Sequence, residues 1–122
     1  MTAEADQDIL PLFIYGSLRD PDVRVRLLGQ RTDLSTCPAV LSGHTRVLVP
    51  GFGYPFAVPA ASDAQVEGDL LLGLRPADFD TLDAYEDVDD GLYQRVVVTV
   101  ETPGGRERAW VYLKGPAEPR RA

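Results

Sequence analysis

The stretch from Leu92 to Thr102 and its return narrows the fold more than any other part of the chain. Leu92 to Glu101 contains Val96, Val97, Val98 and Val100, side chains that pack well on a pleated surface. Thr102-Pro103-Gly104-Gly105 follows at once, and Arg108 to Leu113 resumes the apolar pattern. This succession predicts an antiparallel hairpin. The rest of the chain offers further strands. Leu12 to Tyr15 is a short apolar run that stops at Gly16-Ser17. Cys37 to Pro50 is strand-like and broken by a bend at Ser42-Gly43. Gln65 to Leu74 reads as another strand, with Gly68 and Gly73 marking close approach or bending. Gly51 to Pro55 reads as a loop, and Phe52, Tyr54 and Phe56 around Pro55 as an aromatic pocket rim. Only two helices fit. One enters at Asp20-Pro21, with Asp at the N-cap and Pro at the first helical position, and stops at Gly29. The other opens at Arg75-Pro76 and runs to about Glu86 or Asp87. The expected fold is α+β: a small, mixed, mostly antiparallel β-barrel or strongly bent sheet with two short flanking helices.

Size and composition agree with one domain. The chain has 122 residues, 44% hydrophobic and 25% charged, which suits a single core of ordinary size. Residues 9–114 are expected to form that domain, with 1–8 and 115–122 as frayed ends. The acidic start lacks the positive charge of a signal peptide, and the apolar stretch from Ile9 to Leu18 is broken and far short of a membrane span. The expected location is cytoplasmic, with no membrane partner. A net charge of -7 argues against nucleic acid as a partner.

The residue counts exclude much familiar chemistry. One cysteine, Cys37, cannot form an internal disulfide, and one histidine, His44, cannot form a multi-histidine metal site. Gly51-x-Gly53 lacks the third glycine of a dinucleotide fingerprint, no phosphate-binding Gly-Lys-Ser/Thr occurs, and Ser17 lacks a nucleophile-elbow context. Asp83 to Gly91 holds five carboxylates in nine residues. Setting Gly91 at the glycine of a calcium loop leaves Val97 where the bidentate ligand belongs.

One carboxylate stands apart. Phe79 and Leu82 define the apolar stripe of the second helix, and Glu86, seven and four residues later, falls between them on the inward face. Burial and the negative end of the helix dipole both raise the pKa of a carboxyl so placed, toward values suited to proton transfer at neutral pH. Spacing leaves open whether Glu86 instead turns outward or pairs with Arg95. A second candidate is Tyr15-Gly16-Ser17-Leu18, where a strand ending in Gly-Ser before a helix presents backbone N–H groups that favour an anion or oxyanion. By itself it also reads as an ordinary strand-to-helix turn. Tyr93 and Arg95 share a strand face. Tyr93 reads as pocket wall or as packing, and Arg95 as a carboxylate ligand or as a partner of Glu67 or Asp69. Trp110 and Tyr112 read as core, and His44 and Cys37 as structural or surface residues.

Several of these segments, in this order and spacing, resemble one family. Phe13-Ile14-Tyr15-Gly16-Ser17-Leu18, Tyr54-Pro55, Val66-Glu67-Gly68-Asp69-Leu70, Leu82-Asp83-Ala84-Tyr85-Glu86 and Tyr93-Gln94-Arg95-Val96-Val97-Val98 are similar to the gamma-glutamylcyclotransferase-like pattern, from about Pro11 to Leu113. In size the chain is nearest the small members that include gamma-glutamylamine cyclotransferase. The resemblance implies a small mixed barrel flanked by helices, substrate binding at Tyr15 to Leu18, and Glu86 as the proton acceptor. Tyr54, Tyr93 and Arg95 remain further substrate-binding candidates from the reading of the residues themselves. Two departures are visible. Asp87 stands where members often have glycine, and Leu18 follows Ser17 directly, without the Asn of the Gly-Ser-Asn-Leu sequence usual in the enzyme acting on gamma-glutamyl amino acids. The activity implied is cyclisation of a gamma-glutamyl amide to 5-oxoproline with no cofactor or metal. The alternatives are a non-catalytic module binding a small carboxylate, and a gamma-glutamyl hydrolase.

Overall fold

A computed structural model describes residues 10–48 and 55–116. In chain order the elements are β1 (Leu12–Ile14), a 3-10 turn (Ser17–Arg19), α1 (Pro21–Leu28), β2 (Ser35–Ser42), β3 (His44–Leu48), β4 (Pro55–Pro59), β5 (Gln65–Leu72), α2 (Pro76–Tyr85), β6 (Tyr93–Thr102) and β7 (Gly105–Lys114). β1, β5, β2, β6 and β7 close into a barrel in that order, and β3 and β4 form a separate two-stranded sheet.

The β6–β7 hairpin pairs in continuous register from Tyr93 with Lys114 to Thr102 with Gly105. β2 and β5 pair antiparallel from Ser35 with Leu72 to Ser42 with Gln65. β1 enters between β5 and β7, antiparallel to the first and parallel to the second. That insertion, with the short β2–β6 pairing at Val40 and Glu101, makes the sheet a closed mixed barrel rather than an open bent one.

β1 is apolar throughout because both of its faces are buried. Phe13 belongs to a cluster with Leu41, Val66, Leu70, Val100 and Val111 that fills the barrel. Leu12 and Ile14 point the other way, into a cluster shared with Leu18 and Val23 beside α1 and with Phe79 and Leu82 of α2. Gly68 on β5 permits the close approach of β1. A Cβ there would lie 2.2 Å from the Ile14 carbonyl oxygen.

α1 begins and ends as its sequence signals require. The Asp20 side chain accepts a hydrogen bond from the Asp22 amide at 2.9 Å, Pro21 is the first helical residue, and Gly29 terminates the helix. α2 stops at Tyr85, with Glu86 as its C-cap.

The expected Cys37–Pro50 strand is two strands in two sheets. Gly43, at φ +73°, carries the chain out of the barrel into β3. β4 was not anticipated. Pro55, read as the end of a loop, and Pro59 sit at its ends, opposite Leu48 and His44, where a missing N–H is tolerated. Phe56 is accordingly not a rim residue. It is fully buried on β4, its ring centre 4.7 Å from that of Tyr93. Phe52 and Tyr54 lie outside the described residues. Among the described residues no helix is long and apolar enough to cross a membrane.

Candidate active site

β1 delivers Tyr15 to the place where the chain leaves the barrel. The buried Tyr15 hydroxyl donates to the Tyr112 carbonyl on β7 and accepts from the Ala57 amide on β4 at 3.1 Å. These bonds join three elements that the sequence keeps far apart. Burial holds the Tyr15 phenol well above its ordinary pKa, outweighing the opposing bond from Ala57. It therefore stays protonated and acts as a strut.

Gly16 and the 3-10 turn follow. Within the turn the Arg19 and Asp20 amides donate to the Gly16 and Ser17 carbonyls, each at 3.0 Å. The opening amides of such a turn, at Ser17 and Leu18, have no carbonyl of the turn to bind. The Ser17 hydroxyl is 2.9 Å from that of Tyr85, tying the turn to the last residue of α2.

Phe79 and Leu82 are buried, as their spacing requires, and Glu86 follows on the same side, half-buried, its amide donating to the Leu82 carbonyl at 2.9 Å. Its carboxyl is pushed up to about 7, first by burial and then by the charge of neighbouring Asp87. Helical spacing left inward and outward placement open, and the structure has the inward one; the contribution of Asp87 was not foreseen.

These pieces converge on one recess. Tyr15, Gly16, Ser17, Leu18, Glu86 and Tyr93 line it, together with Phe13, Ile14, Pro55 and Tyr112, and it measures about 440 Å³ out to solvent. Glu86 is the sole carboxylate among these lining residues. Tyr93 is buried, and its hydroxyl donates to the Pro55 carbonyl at 2.7 Å, fixing β4 as one wall. A second recess of about 570 Å³ adjoins the first and is lined by Ser17, Tyr85, Glu86, Asp87, Leu92 and Tyr93. Ser17, Glu86 and Tyr93 are common to both.

Arg95 is not among the residues lining either recess. Its guanidinium donates to Asp83 at 2.8 and 3.2 Å and lies 4.7 and 4.3 Å from the ring centres of Phe79 and Trp110. Neither Glu67, Asp69 nor Glu86 is its partner; Asp69 pairs with Arg19 at 3.0 Å. Tyr54 lies outside the described residues.

Sequence reasoning missed Tyr85, Asp87 and Leu92 on the outer recess and, on the inner one, Tyr112, which it read as core. Tyr112 is buried, as that reading holds, but it also lines the recess, and its hydroxyl donates to Asp83 at 2.7 Å. Burial, then that bond, raise its pKa strongly. A signal existed: counting outward from the hairpin turn places Tyr112 opposite Arg95.

The family model for gamma-glutamyl cyclotransferase, AIG2-like, matches residues 12–122. The chain belongs to that family. It is 34% identical over 100 residues to protein AIG2 C of Arabidopsis thaliana, covering 82% of this chain and 57% of that protein. It is 38% identical over 89 residues to AIG2-like protein C of the same plant, covering 73% and 48%. The chain thus spans about half the length of these curated relatives. A solution structure of an Arabidopsis thaliana protein superposes with a TM-score of 0.75 at 27% identity, covering 97% of this chain and 77% of that one. The AIG2-like fold, a closed mixed barrel with two flanking helices, is the one described above.

Proposed function

We propose that this AIG2-like protein is a gamma-glutamyl cyclotransferase of the small, gamma-glutamylamine cyclotransferase type. In this reading it closes a gamma-glutamyl amide to 5-oxoproline and releases an amine, with Glu86 as general acid and base. The observation that carries the reading is that one carboxyl poised near neutrality faces two adjoining recesses. Such a reaction needs one group to reach both the attacking and the departing nitrogen.

The glutamyl part occupies the inner recess and the amine part the outer one. Glu86 accepts a proton from the substrate α-amine as that nitrogen attacks the γ-carbonyl carbon. The new C–N bond closes a five-membered ring, the amide C–N bond breaks, and Glu86 returns the proton to the departing nitrogen. No water enters the balance. Holding amine and carbonyl together supplies much of the rate, since effective molarities of oriented pairs reach about 10⁵ M or more. The Ser17 and Leu18 amides and the Ser17 hydroxyl, on the wall shared with Glu86, hold the substrate carboxylate or the oxygen that becomes negative. Tyr15 and Tyr112, kept protonated by burial, leave proton transfer to Glu86.

The test is to incubate the protein with a panel of gamma-glutamyl amides and follow 5-oxoproline by mass spectrometry. Turnover is expected to fall with acid below about pH 7, as Glu86 is protonated. Blocking the substrate α-amine is expected to stop it. Release of glutamate from the blocked substrate would assign the site to hydrolysis, and binding with no turnover on any amide would leave it a carboxylate-binding module.

A further inference from the structure

The outer recess differs chemically from the inner one. Its wall carries Asp87 beside Glu86, the rings of Tyr85 and Tyr93, and Leu92, and no basic side chain among the described residues that line it. Asp87 is also the one non-glycine among the described residues with positive φ, at 53°. Its amide donates to the Ala84 carbonyl at 3.2 Å, and its carbonyl accepts from the Leu92 amide at 3.1 Å. The Asp90 amide donates to the same carbonyl at 3.2 Å, so three tethers fix the backbone that presents this carboxylate.

We propose that Asp87 selects the departing amine by charge, favouring a leaving group that carries a second, positively charged nitrogen over one that carries a carboxylate. The inference rests on the cyclotransferase reading and adds the class of amine. Three features of the recess support it. It adjoins the reacting site through Ser17, Glu86 and Tyr93. Leu92 and the two rings offer apolar contact to a short alkyl chain. Asp87 then meets the far end of that chain, where an ammonium is attracted and a carboxylate repelled. Asp87 touches neither the scissile bond nor the attacking amine in this arrangement, so it is a specificity residue and not a catalytic one.

Three gamma-glutamyl amides of matched length separate the possibilities: one of 1,4-diaminobutane, one of pentylamine and one of 4-aminobutyrate. They differ at the far end of the amine, which is cationic, neutral or anionic. Wild-type kcat/KM is expected to fall in that order, about three- to fivefold from cation to neutral, the scale of a partly exposed charge pair. Asp87→Asn suits the test because asparagine tolerates positive φ. It is expected to shrink the ratio of cationic to anionic substrate at least threefold. The same variant also changes the charge beside Glu86, but that effect is common to all three substrates and cancels in the ratio. Raising the salt should shrink the wild-type ratio and leave that of Asp87→Asn nearly unmoved.

Equal ratios in wild type and Asp87→Asn overturn the proposal while leaving cyclisation intact. Preference for the anionic amide overturns it as well. No 5-oxoproline from any of the three overturns both the cyclotransferase reading and this inference.

Discussion

The two ends of α2 carry carboxylates of opposite character. At the first end, Asp78 is buried and accepts from the Arg31 guanidinium at 2.7 Å and from the Arg75 amide at 2.8 Å. Burial works against its charge, but those bonds outweigh it and hold the carboxyl below its ordinary range. At the other end, Glu86 lies among apolar and phenolic side chains beside a like charge, and is raised to about 7. The helix field acts in the same sense, favouring a negative charge at the first end and disfavouring it at the last. The contrast shows that position on an inward helix face does not decide what a carboxylate does; the donors around it do. Supplied with an arginine and an amide, it anchors the helix. Left without them beside a cavity, it has its pKa raised toward neutrality.

The largest expected effect separates the ends by activity. Glu86→Gln, nearly isosteric, should lower turnover by roughly 10²-fold or more, the usual cost of losing a general base. Asp78→Ala should leave kcat within a fewfold in folded protein. Steady-state kinetics on both variants measure this, and comparable losses at the two ends would erase the division.

Stability should then respond to pH with opposite sign at each end. The folded pKa of Glu86 lies above its unfolded value near 4.5, so the folded state holds a proton that the unfolded state has lost. Stability therefore falls as pH rises from about 4.5 to about 7, by up to about 3 kcal/mol. Asp78 has a lowered folded pKa, so its contribution is present above the unfolded value and lost as the solution is acidified through the folded one. Denaturant midpoints across pH should peak on the acid side of neutrality. In Glu86→Gln the fall toward pH 7 should vanish, making the variant more stable than wild type at pH 8. An unchanged slope would mean that Glu86 titrates normally.

A smaller effect sharpens the anchoring role. Asp78→Ala removes the acceptor for both the Arg75 amide and the Arg31 guanidinium, which keeps Asp33, and should cost about 2–3 kcal/mol. The change in denaturant midpoint reads this directly.

What the sequence disclosed follows the range of the interactions concerned. The β6–β7 hairpin and the α1 cap at Asp20-Pro21 are set by residues within a turn or two of one another, and both were legible; the inward placement of Glu86 was legible only as one of two options. β4 was not legible, because proline at both ends looks like interruption until β3 is found beside it. The barrel closure was legible only as one of two options, since the β1–β7 pairing joins the two ends of the fold. The site divides similarly. Glu86 and the Tyr15–Leu18 turn were visible, whereas the Tyr15 bonds to Tyr112 and Ala57 and the Asp83–Arg95–Tyr112 group were not. Those contacts join residues 12 to 97 apart, and no local pattern encodes them.

The smallest expected effect lies in how the two ends are fastened. Arg31 holds the first end by charge, but at the other end the 2.9 Å contact between the Ser17 and Tyr85 hydroxyls joins helix to turn. An exposed neutral bond of this kind is worth about 1 kcal/mol or less. Tyr85→Phe keeps the ring and should lower stability by no more than that. Because Ser17 lies on the walls of both recesses, the variant should raise KM a fewfold with kcat little changed. Ser17→Ala breaks the same contact and also removes a hydroxyl placed against the substrate, so its loss should be the larger of the two, and adding Tyr85→Phe to it should change nothing further. Fully additive losses would mean that the hydroxyls act separately, leaving the Glu86 end of α2 held by Asp83 with Arg95 and Tyr112, a charged anchor like that of the opposite end.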